Sequence, residues 1–212
     1  MRFLLVLLSL AVATALRAEP DRVERDLGQG LAYCRVHVLP SDLPAVAPRG
    51  ALVLDLRYVR AADDAGSALA TWFNSRKTSA PIFVLLNAET SPAVLSYFAG
   101  RPASPGLITL GGSSDHFEPD IALKISAGTE RAAYDALEQG TPLATLLTDN
   151  STKPRHDEAS IAQDRIAAAD DASDTDVVEP TPPVRPPPAA MIDPALLRAV
   201  HLHRALLALR KM

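Results

Sequence analysis

The hydrophobic pattern predicts alternating strands and helices through the first two thirds of the chain. Continuous apolar runs, typical of strands covered on both faces, occupy residues 51–57 (ALVLDLR) and 82–86 (IFVLL). Between them, residues 65–74 carry apolar side chains at helical spacing. Two buried strands joined by a helix make a βαβ crossover, so this segment predicts an α/β domain with a parallel sheet.

The same alternation continues on either side of this unit. It predicts further strands at residues 30–39, 106–110 and 121–125, and further helices at residues 92–99 and 129–139. Thr90 or Ser91 would cap the helix that begins at Pro92, and Gly140 would end the last helix. Residues 19–149 therefore predict a single compact α/β domain, since about 130 residues suffice to bury a core.

Residues 1–18 have the pattern of a secretory signal peptide. Met1 and Arg2 precede an apolar run over residues 3–16 that is too short to span a bilayer comfortably, and small residues follow. An uncleaved amphiphilic anchor is the alternative, and export follows from either interpretation. We expect a periplasmic or secreted protein with no integral membrane span once the signal is removed.

Beyond the core the composition changes twice. Residues 150–192 are first acidic and then rich in proline, which predicts a disordered linker. Its aspartates lack the glycine turn and terminal glutamate of a calcium loop, so no metal site is expected. Residues 193–212 predict a C-terminal helix, with Asp193 as N-cap and Pro194 first in the helix. This helix could pack on the core, or dock on a partner protein or an anionic membrane surface.

The net charge and the cysteine content reduce the number of functions that the chain could have. The formal net charge is −4, and loss of Arg2 and Arg17 with the signal peptide lowers it to −6. An acidic chain without a basic stripe is a poor candidate for nucleic-acid binding, so no nucleic-acid partner is expected. Cys34 is the only cysteine and lies in an apolar alternation, which favours a buried, inert thiol over a nucleophile.

Four segments together carry a family resemblance. In chain order they are residues 30–36 (GLAYCRV), 52–57 (LVLDLR), 81–87 (PIFVLLN) and 119–123 (PDIAL). They are similar to the GxGYxRI, LILDLR, PVVVLVN and PDIxV strands of the carboxyl-terminal processing, or tail-specific, serine peptidases. The resemblance covers about residues 30–140. It implies a domain of the Clp protease and crotonase type, built from βαβ repeats.

The segments that carry the family's chemistry are altered in this chain. After DLR the family has an NPGG turn that offers an amide to the oxyanion, whereas residues 58–63 read YVRAAD and contain neither glycine. The family's lysine base is missing from the corresponding stretch, residues 111–118 (GGSSDHFE). These changes favour a degenerate, peptidase-like protein without catalytic activity.

A rewired catalytic site is the alternative. The stretch TSPA stands where the family has its SASE nucleophile loop, so Ser91 or Pro92 takes the nucleophile position, depending on a one-residue gap. His116 is the nearby group able to act as a base at neutral pH, and Asp115 or Asp120 would orient its imidazole. In the structural interpretation, Ser91 caps a helix, while His116 and Asp115 are turn residues.

Asp55 and Arg57 form a second candidate site. Both stand at the carboxyl end of a predicted parallel strand, where ligands bind in open α/β sheets, so they could position a ligand. The alternative is a buried, hydrogen-bonded pair that fixes the end of the strand, because charges in an apolar run must be satisfied.

These features predict an exported, non-catalytic binding or scaffolding module. It would hold a protein or peptide partner through the crevice at its strand ends or through its C-terminal helix. The alternative is an active serine peptidase or hydrolase that uses Ser91 with a base such as His116. No cofactor is expected, and assembly into an oligomer is an expectation from the superfamily alone.

Overall fold

The computed structural model describes residues 23–76, 78–102, 104–148 and 191–209. The strands are β1 (Val23–Asp26), β2 (Leu31–Arg35), β3 (Val38–Leu39), β4 (Ala51–Asp55), β5 (Arg60–Ala61), β6 (Ile82–Leu86), β7 (Leu107–Gly111) and β8 (Ile121–Ala122). The helices are α1 (Ala65–Ser75), α2 (Pro92–Ala99), α3 (Ala127–Glu138), α4 (Leu143–Leu147) and α5 (Pro194–Leu209). Five strands precede the first helix, and strands and helices then alternate from α1 to β7.

Six of the strands form one sheet in the order β1-β2-β4-β6-β7-β8. Strands β2, β4, β6, β7 and β8 run parallel, and only β1 is antiparallel to its neighbour. A separate two-stranded ladder joins β3 to β5. The predicted α/β class is confirmed in this form, as helices alternating with a mostly parallel sheet.

Helices cover both faces of the sheet, which explains why β4 and β6 read as continuous apolar runs. Every residue of these two strands is buried. On one face, Leu54 and Val84 pack with residues of α1 and α2 such as Leu69. On the other face, Val53 and Phe83 pack with residues of α3, α4 and α5. Alternate side chains of each strand thus enter two separate cores.

The C-terminal helix belongs to the second core. Its buried residues include Ala195, Leu196, Ala199 and Val200, which lie against the apolar face of the sheet. Of the alternatives left open by the sequence, the structure therefore selects packing on the domain. In the part of the chain that the structure describes, no helix is long and apolar enough to cross a membrane.

Several predicted boundaries are corrected by the structure. The strand expected over residues 30–39 is divided between β2 and β3, because the Asp42 carboxylate accepts hydrogen bonds from the amides of His37 and Val38, at 3.3 and 2.8 Å. The strand expected over residues 121–125 is only two residues long. Strand β1 and helix α4 were not expected from the pattern. The predicted signal peptide, and all but the last two residues of the predicted linker, lie outside the described residues.

Candidate functional site

Charged and aromatic side chains converge at the carboxyl ends of β2 and β4. We call this group the carboxyl-end cluster, and it consists of Tyr33, Arg35, Asp55, Arg57, Glu130, Tyr134, Glu138 and Asp193. The parallel register pairs Arg35 with Asp55 across the two strands. Because side chains alternate along a strand, Tyr33 and Arg57 fall on the same face of the sheet as this pair. That face is the one covered by α3 and α5.

Asp55 and Arg57 make the closest ion pair of the cluster. Arg57 donates from Nε to Asp55 Oδ1 at 3.0 Å and from Nη2 to Asp55 Oδ2 at 2.7 Å. The amide of Arg57 also donates to Asp55 Oδ1, at 3.1 Å. Both side chains are 0% exposed. This geometry matches the structural interpretation of the pair, in which it fixes the end of a strand.

Asp193 connects the same guanidinium to the C-terminal helix. Arg57 donates from Nη1 and Nη2 to the two carboxylate oxygens of Asp193, at 3.1 and 2.8 Å. Asp193 Oδ1 also accepts from the amide of Leu196 at 3.0 Å, which caps the first turn of α5. One carboxylate therefore caps the helix and holds it to the sheet. The sequence indicated the cap but not the partner 136 positions away.

Arg35 and Tyr33 extend the cluster towards α3. The Tyr33 hydroxyl donates to Asp55 Oδ2 at 2.7 Å and accepts from Arg35 Nε at 2.9 Å. Arg35 Nη1 donates to the Tyr134 carbonyl at 3.0 Å and to Glu138 Oε1 at 3.1 Å. The Arg35 guanidinium lies 3.7 Å from the centroid of the Tyr134 ring, a cation–π distance. Two strands and one helix are joined through these polar contacts.

The protonation equilibria reflect this arrangement. Burial by itself raises the pKa of Asp55, but the guanidinium of Arg57, followed by Arg35 and the hydroxyl of Tyr33, outweighs it and holds the pKa below its usual value. Burial raises the pKa of Glu130 above its usual value despite the nearby Arg57. Asp55 is therefore a stable carboxylate, whereas Glu130 is less easily ionised.

Glu130 was not among the predicted site residues. It is 6% exposed, its Oε1 lies 3.8 Å from Arg57 Nη1 without a hydrogen bond, and its Oε2 accepts from Asn87 Nδ2 at 3.4 Å. A glutamate in the first turn of a helix is favourable because of the helix dipole, so this position by itself did not mark Glu130 as a site residue. One signal in the sequence could have indicated its burial. Glu130 is in helical register with Ala133, Tyr134 and Leu137, which form the buried face of α3.

The predicted nucleophile, Ser91, is the N-cap residue of α2. It is half-buried, and its side chain makes no capping hydrogen bond, although its carbonyl accepts from the amides of Val94 and Leu95. His116 and Asp115 are exposed in the loop after β7. Among the described residues, no hydrogen bond or ion pair joins Ser91 to either of them.

Asp120, the other residue considered for orienting His116, has different partners. Its Oδ2 accepts from the amide and the hydroxyl of Thr109, both at 2.8 Å. The amide of Asp120 donates to the Thr109 hydroxyl at 2.8 Å. These three contacts fix the loop before β8 against β7. Asp120 is therefore engaged in holding two strands together.

Amides near Ser91 are already used within the fold. The Ser91 amide donates to the Val59 carbonyl at 3.2 Å, and Pro92 has no amide hydrogen. In the segment after β4, the amides of Val59 and Arg60 donate to the carbonyls of Leu56 and His37. An oxyanion site needs free, preorganised donors, and these four positions supply none.

No metal centre is found within the described ranges, where no group of three or more His, Cys, Asp or Glu side chains is placed to hold an ion. Cys34 is buried, as its sequence context indicated.

Comparison with known proteins adds little to this geometry. No family model matches the chain, and no curated protein matches it. Among solved structures, the chain is similar to a lipoprotein from Streptococcus agalactiae, with 13% sequence identity and a TM-score of 0.30. The match covers 42% of this chain and 48% of the lipoprotein, so the chain spans about half of that protein. A likeness of this size carries no conclusion about function.

Proposed function

We propose that this protein is an exported binding module with a crotonase-like, tail-specific-peptidase-like domain that does not hydrolyse peptides. The observation that carries the proposal is the carboxyl-end cluster. In open α/β sheets the carboxyl ends of the strands are where ligands and substrates bind. In this chain Arg57 lies at the carboxyl end of β4, and its guanidinium is hydrogen-bonded to Asp55 and to Asp193.

The surroundings of Ser91 support the same proposal. A serine hydroxyl needs a neighbouring acceptor to become a nucleophile, and the described residues place none in hydrogen-bond contact with it. The Ser91 amide, one donor that could stabilise an oxyanion, is bonded to the Val59 carbonyl, and Pro92 has no amide hydrogen. Loss of a single oxyanion donor costs about 3 kcal/mol of barrier, and here the base is lost as well.

For the binding surface, we propose a layer that lies next to the carboxyl-end cluster and is formed by Tyr58, Glu89 and Arg131. The Glu89 carboxylate interacts electrostatically with both other residues. The Arg131 guanidinium lies 4.6 Å from the Tyr58 ring centroid, and Tyr58 meets the buried Tyr134 edge to face at 4.7 Å. The Tyr58 ring is therefore held in place before any partner arrives. Tyrosine and arginine are the residue types most often found at the energetic centres of protein interfaces, so a protein or peptide partner is the ligand we propose.

The absence of hydrolysis is tested by fluorophosphonate labelling of the exported chain, beside Ser91→Ala and His116→Ala. Ser96→Ala is the matched control, because Ser96 is an exposed serine on the same helix. We expect no labelling and no peptide hydrolysis in a sample whose circular dichroism shows a folded protein. Labelling that disappears in Ser91→Ala and His116→Ala, but persists in Ser96→Ala, would establish a serine hydrolase instead.

The binding surface is tested by single substitutions, not by deletion of residues 193–212. Deletion would uncover the apolar face of the sheet on which Leu196 and Val200 pack, so lost binding would only report lost folding. Arg131→Glu should remove partner recovery after cross-linking in the native compartment. Arg198→Glu, an equal charge change at an exposed site on α5, should leave it intact. Equal recovery with both variants would refute the proposed surface.

A further inference from the structure

A cleft of about 490 Å³ opens at the amino ends of β6 and β7, opposite the carboxyl-end cluster. We call it the amino-end cleft. Its apolar side is formed by Phe73, Tyr97 and Leu107, and its polar side by Arg76 and Arg101. This volume lies within the range of about 300–1,000 Å³ that is typical of small-molecule sites. Neither the resemblance to peptidases nor the proposed partner surface accounts for it.

Several N–H groups of the two arginines in this cleft have no hydrogen-bond acceptor among the described residues. Nε and Nη1 of Arg101 and Nη1 of Arg76 are enclosed by protein, and none of the three finds an acceptor among the described residues. Within the described residues, Arg76 is anchored through Nη2, which donates to the carbonyls of Gly50 and Ala80, at 2.8 and 3.5 Å. Leaving an enclosed N–H unpaired is costly, so a ligand that brings acceptors would relieve this cost once the side chains turn these groups towards the cleft.

The electrostatics of the cleft favour an anion. The described residues that line it include no Asp or Glu. Helices α1 and α2 both end here, since Arg76 is the C-cap of α1 and Arg101 follows the C-cap of α2, Gly100. Each helix end contributes a partial charge of about −0.5, which two guanidinium groups outweigh. Burial lowers the pKa of Arg76, as expected for a cation without a counter-ion.

The apolar side of the cleft adds a second requirement. The rings of Phe73 and Tyr97 are stacked, parallel within 2° with centroids 6.3 Å apart, and both residues line the cleft. The Arg101 guanidinium lies 5.8 Å from the centroid of the neighbouring Phe98 ring. Flat apolar groups pack well on such aromatic surfaces, whereas a small hydrated ion leaves them uncovered.

We propose that the amino-end cleft binds a small organic anion in which a carboxylate or phosphate group is joined to an aromatic or similarly flat apolar part. The anionic group accepts hydrogen bonds from Arg76 and Arg101, and the apolar part lies on Phe73 and Tyr97. This site is separate from the surface proposed for a protein partner. Neither proposal depends on the other.

The test is a titration of the isotopically labelled full mature chain, followed by nuclear magnetic resonance. The four probes are phenyl phosphate, phenylacetate, inorganic phosphate and the uncharged benzyl alcohol. We expect phenyl phosphate or phenylacetate to shift the Arg101 Nε–H and Leu107 amide signals saturably. The probe that binds more tightly identifies the anionic group. Inorganic phosphate and benzyl alcohol should bind at least tenfold more weakly, since the first has only the anionic group and the second has only the aromatic part.

Variants then connect the binding to the arginines. Arg101→Gln should weaken the better aromatic anion by about tenfold or more, because hydrogen bonds to charged groups contribute at this level. Arg60→Gln is the matched control, since Arg60 is exposed near the opposite end of the sheet. Arg76→Gln is a second test if Arg101→Gln alters the spectrum of the free protein. The proposal is overturned if no probe saturates, if inorganic phosphate or benzyl alcohol binds as tightly, or if Arg60→Gln has the same effect as Arg101→Gln.

Discussion

The two ends of the central sheet differ in the counter-ions that they offer to arginine. Carboxylates lie beside Arg35 and Arg57 at the carboxyl end, although Nη2 of Arg35 lacks an acceptor among the described residues, whereas no described carboxylate lines the amino-end cleft. At the carboxyl end, Arg57 is fully buried and bonded to two carboxylates. At the amino end, Arg76 and Arg101 keep enclosed N–H groups that meet no acceptor among the described residues. The comparison teaches that an arginine near a strand end does not define a site by itself. An arginine indicates a binding site only when the fold does not supply the acceptors that its N–H groups need.

The source of this difference lies in the elements that reach each end. Glu130 and Asp193 stand at the starts of α3 and α5, and both starts meet the carboxyl ends of the strands, where they bring negative charge to Arg57. The amino end receives the last turns of α1 and α2, which bring carbonyls and arginines but no carboxylate among the described lining residues. One end is therefore closed by internal ion pairs, and the other remains open.

The largest expected effect on stability comes from adding a Cβ atom to Gly111, at the carboxyl end of β7. Gly111 has φ +147°, and a Cβ built on it lies 1.7 Å from the Leu86 carbonyl oxygen, a backbone atom that cannot move aside. We expect Gly111→Ala to lose more than about 4 kcal/mol of stability or to prevent folding. Thermal and urea unfolding measure this.

The neighbouring glycine provides the control for that substitution. A Cβ on Gly112 meets nothing within 4 Å, so Gly112→Ala should change stability by less than about 0.5 kcal/mol. Equal stability of the two alanine variants would contradict the close approach of β6 and β7 at this end.

The next effect concerns the charges of the closed end. Arg57→Leu should cost about 3–5 kcal/mol in the free energy of unfolding, because Asp193 then remains buried without its cation. Asp55 keeps the more distant Arg35, 3.7 Å away. Arg60→Leu, three positions on and exposed, should change it by less than about 0.5 kcal/mol. A loss below about 1 kcal/mol for Arg57→Leu would show that the cluster does not hold the sheet end closed.

Acid should weaken the closed end through Asp55. Its folded-state pKa is lowered beneath the unfolded value of about 3.9, so its contribution to stability is complete above about pH 4. The contribution is lost as the pH falls through the lower, folded-state pKa. Urea midpoints measured between pH 6 and pH 2.5 should decrease in the acid range, and Asp55→Asn should flatten that part of the curve. An unchanged slope in Asp55→Asn would assign the acid sensitivity to other carboxylates.

The smallest effect is expected at the open end. Arg101→Met removes the guanidinium, two of whose three nitrogen atoms are enclosed and have no acceptor among the described residues, while keeping a long apolar side chain over Phe98. The unfolding free energy should stay within about 0.5 kcal/mol of the original value, or rise. A loss comparable to that of Arg57→Leu would remove the contrast between the two ends.

Much of the fold was predictable because its signals are local. The runs that became β4 and β6 are apolar throughout, and the bounds of β6 and α2 agree with the predicted ones. The structure also places Asp193 as the cap of α5. The prediction failed at β3 and β1 for different reasons. Strand β3 leaves the main sheet to pair with β5, whereas β1 is held by its antiparallel pairing with the next strand, β2.

The candidate site residues also differ in how far the sequence could predict their roles. Asp55 and Arg57 were recognisable as charges in an apolar strand that must be satisfied, but their further partners lie on α3 and before α5. Ser91, His116 and Asp115 came from a family resemblance, which predicts roles but not whether the side chains meet. Arg76 and Arg101 gave no signal at all, since arginines at helix ends are common and favourable.

The sequence by itself determined the α/β alternation, the buried strands, the helix caps and a closing helix after a long acidic and proline-rich stretch. These depend on side-chain periodicity and on contacts within a few residues. Only the tertiary structure decided that Arg57 is neutralised by Asp193, 136 positions away, and that Arg76 and Arg101 share a cleft where some of their N–H groups meet no acceptor among the described residues. The physical reason is that the energy of a charge depends on which groups surround it in space, and the chain brings those groups together only when it folds.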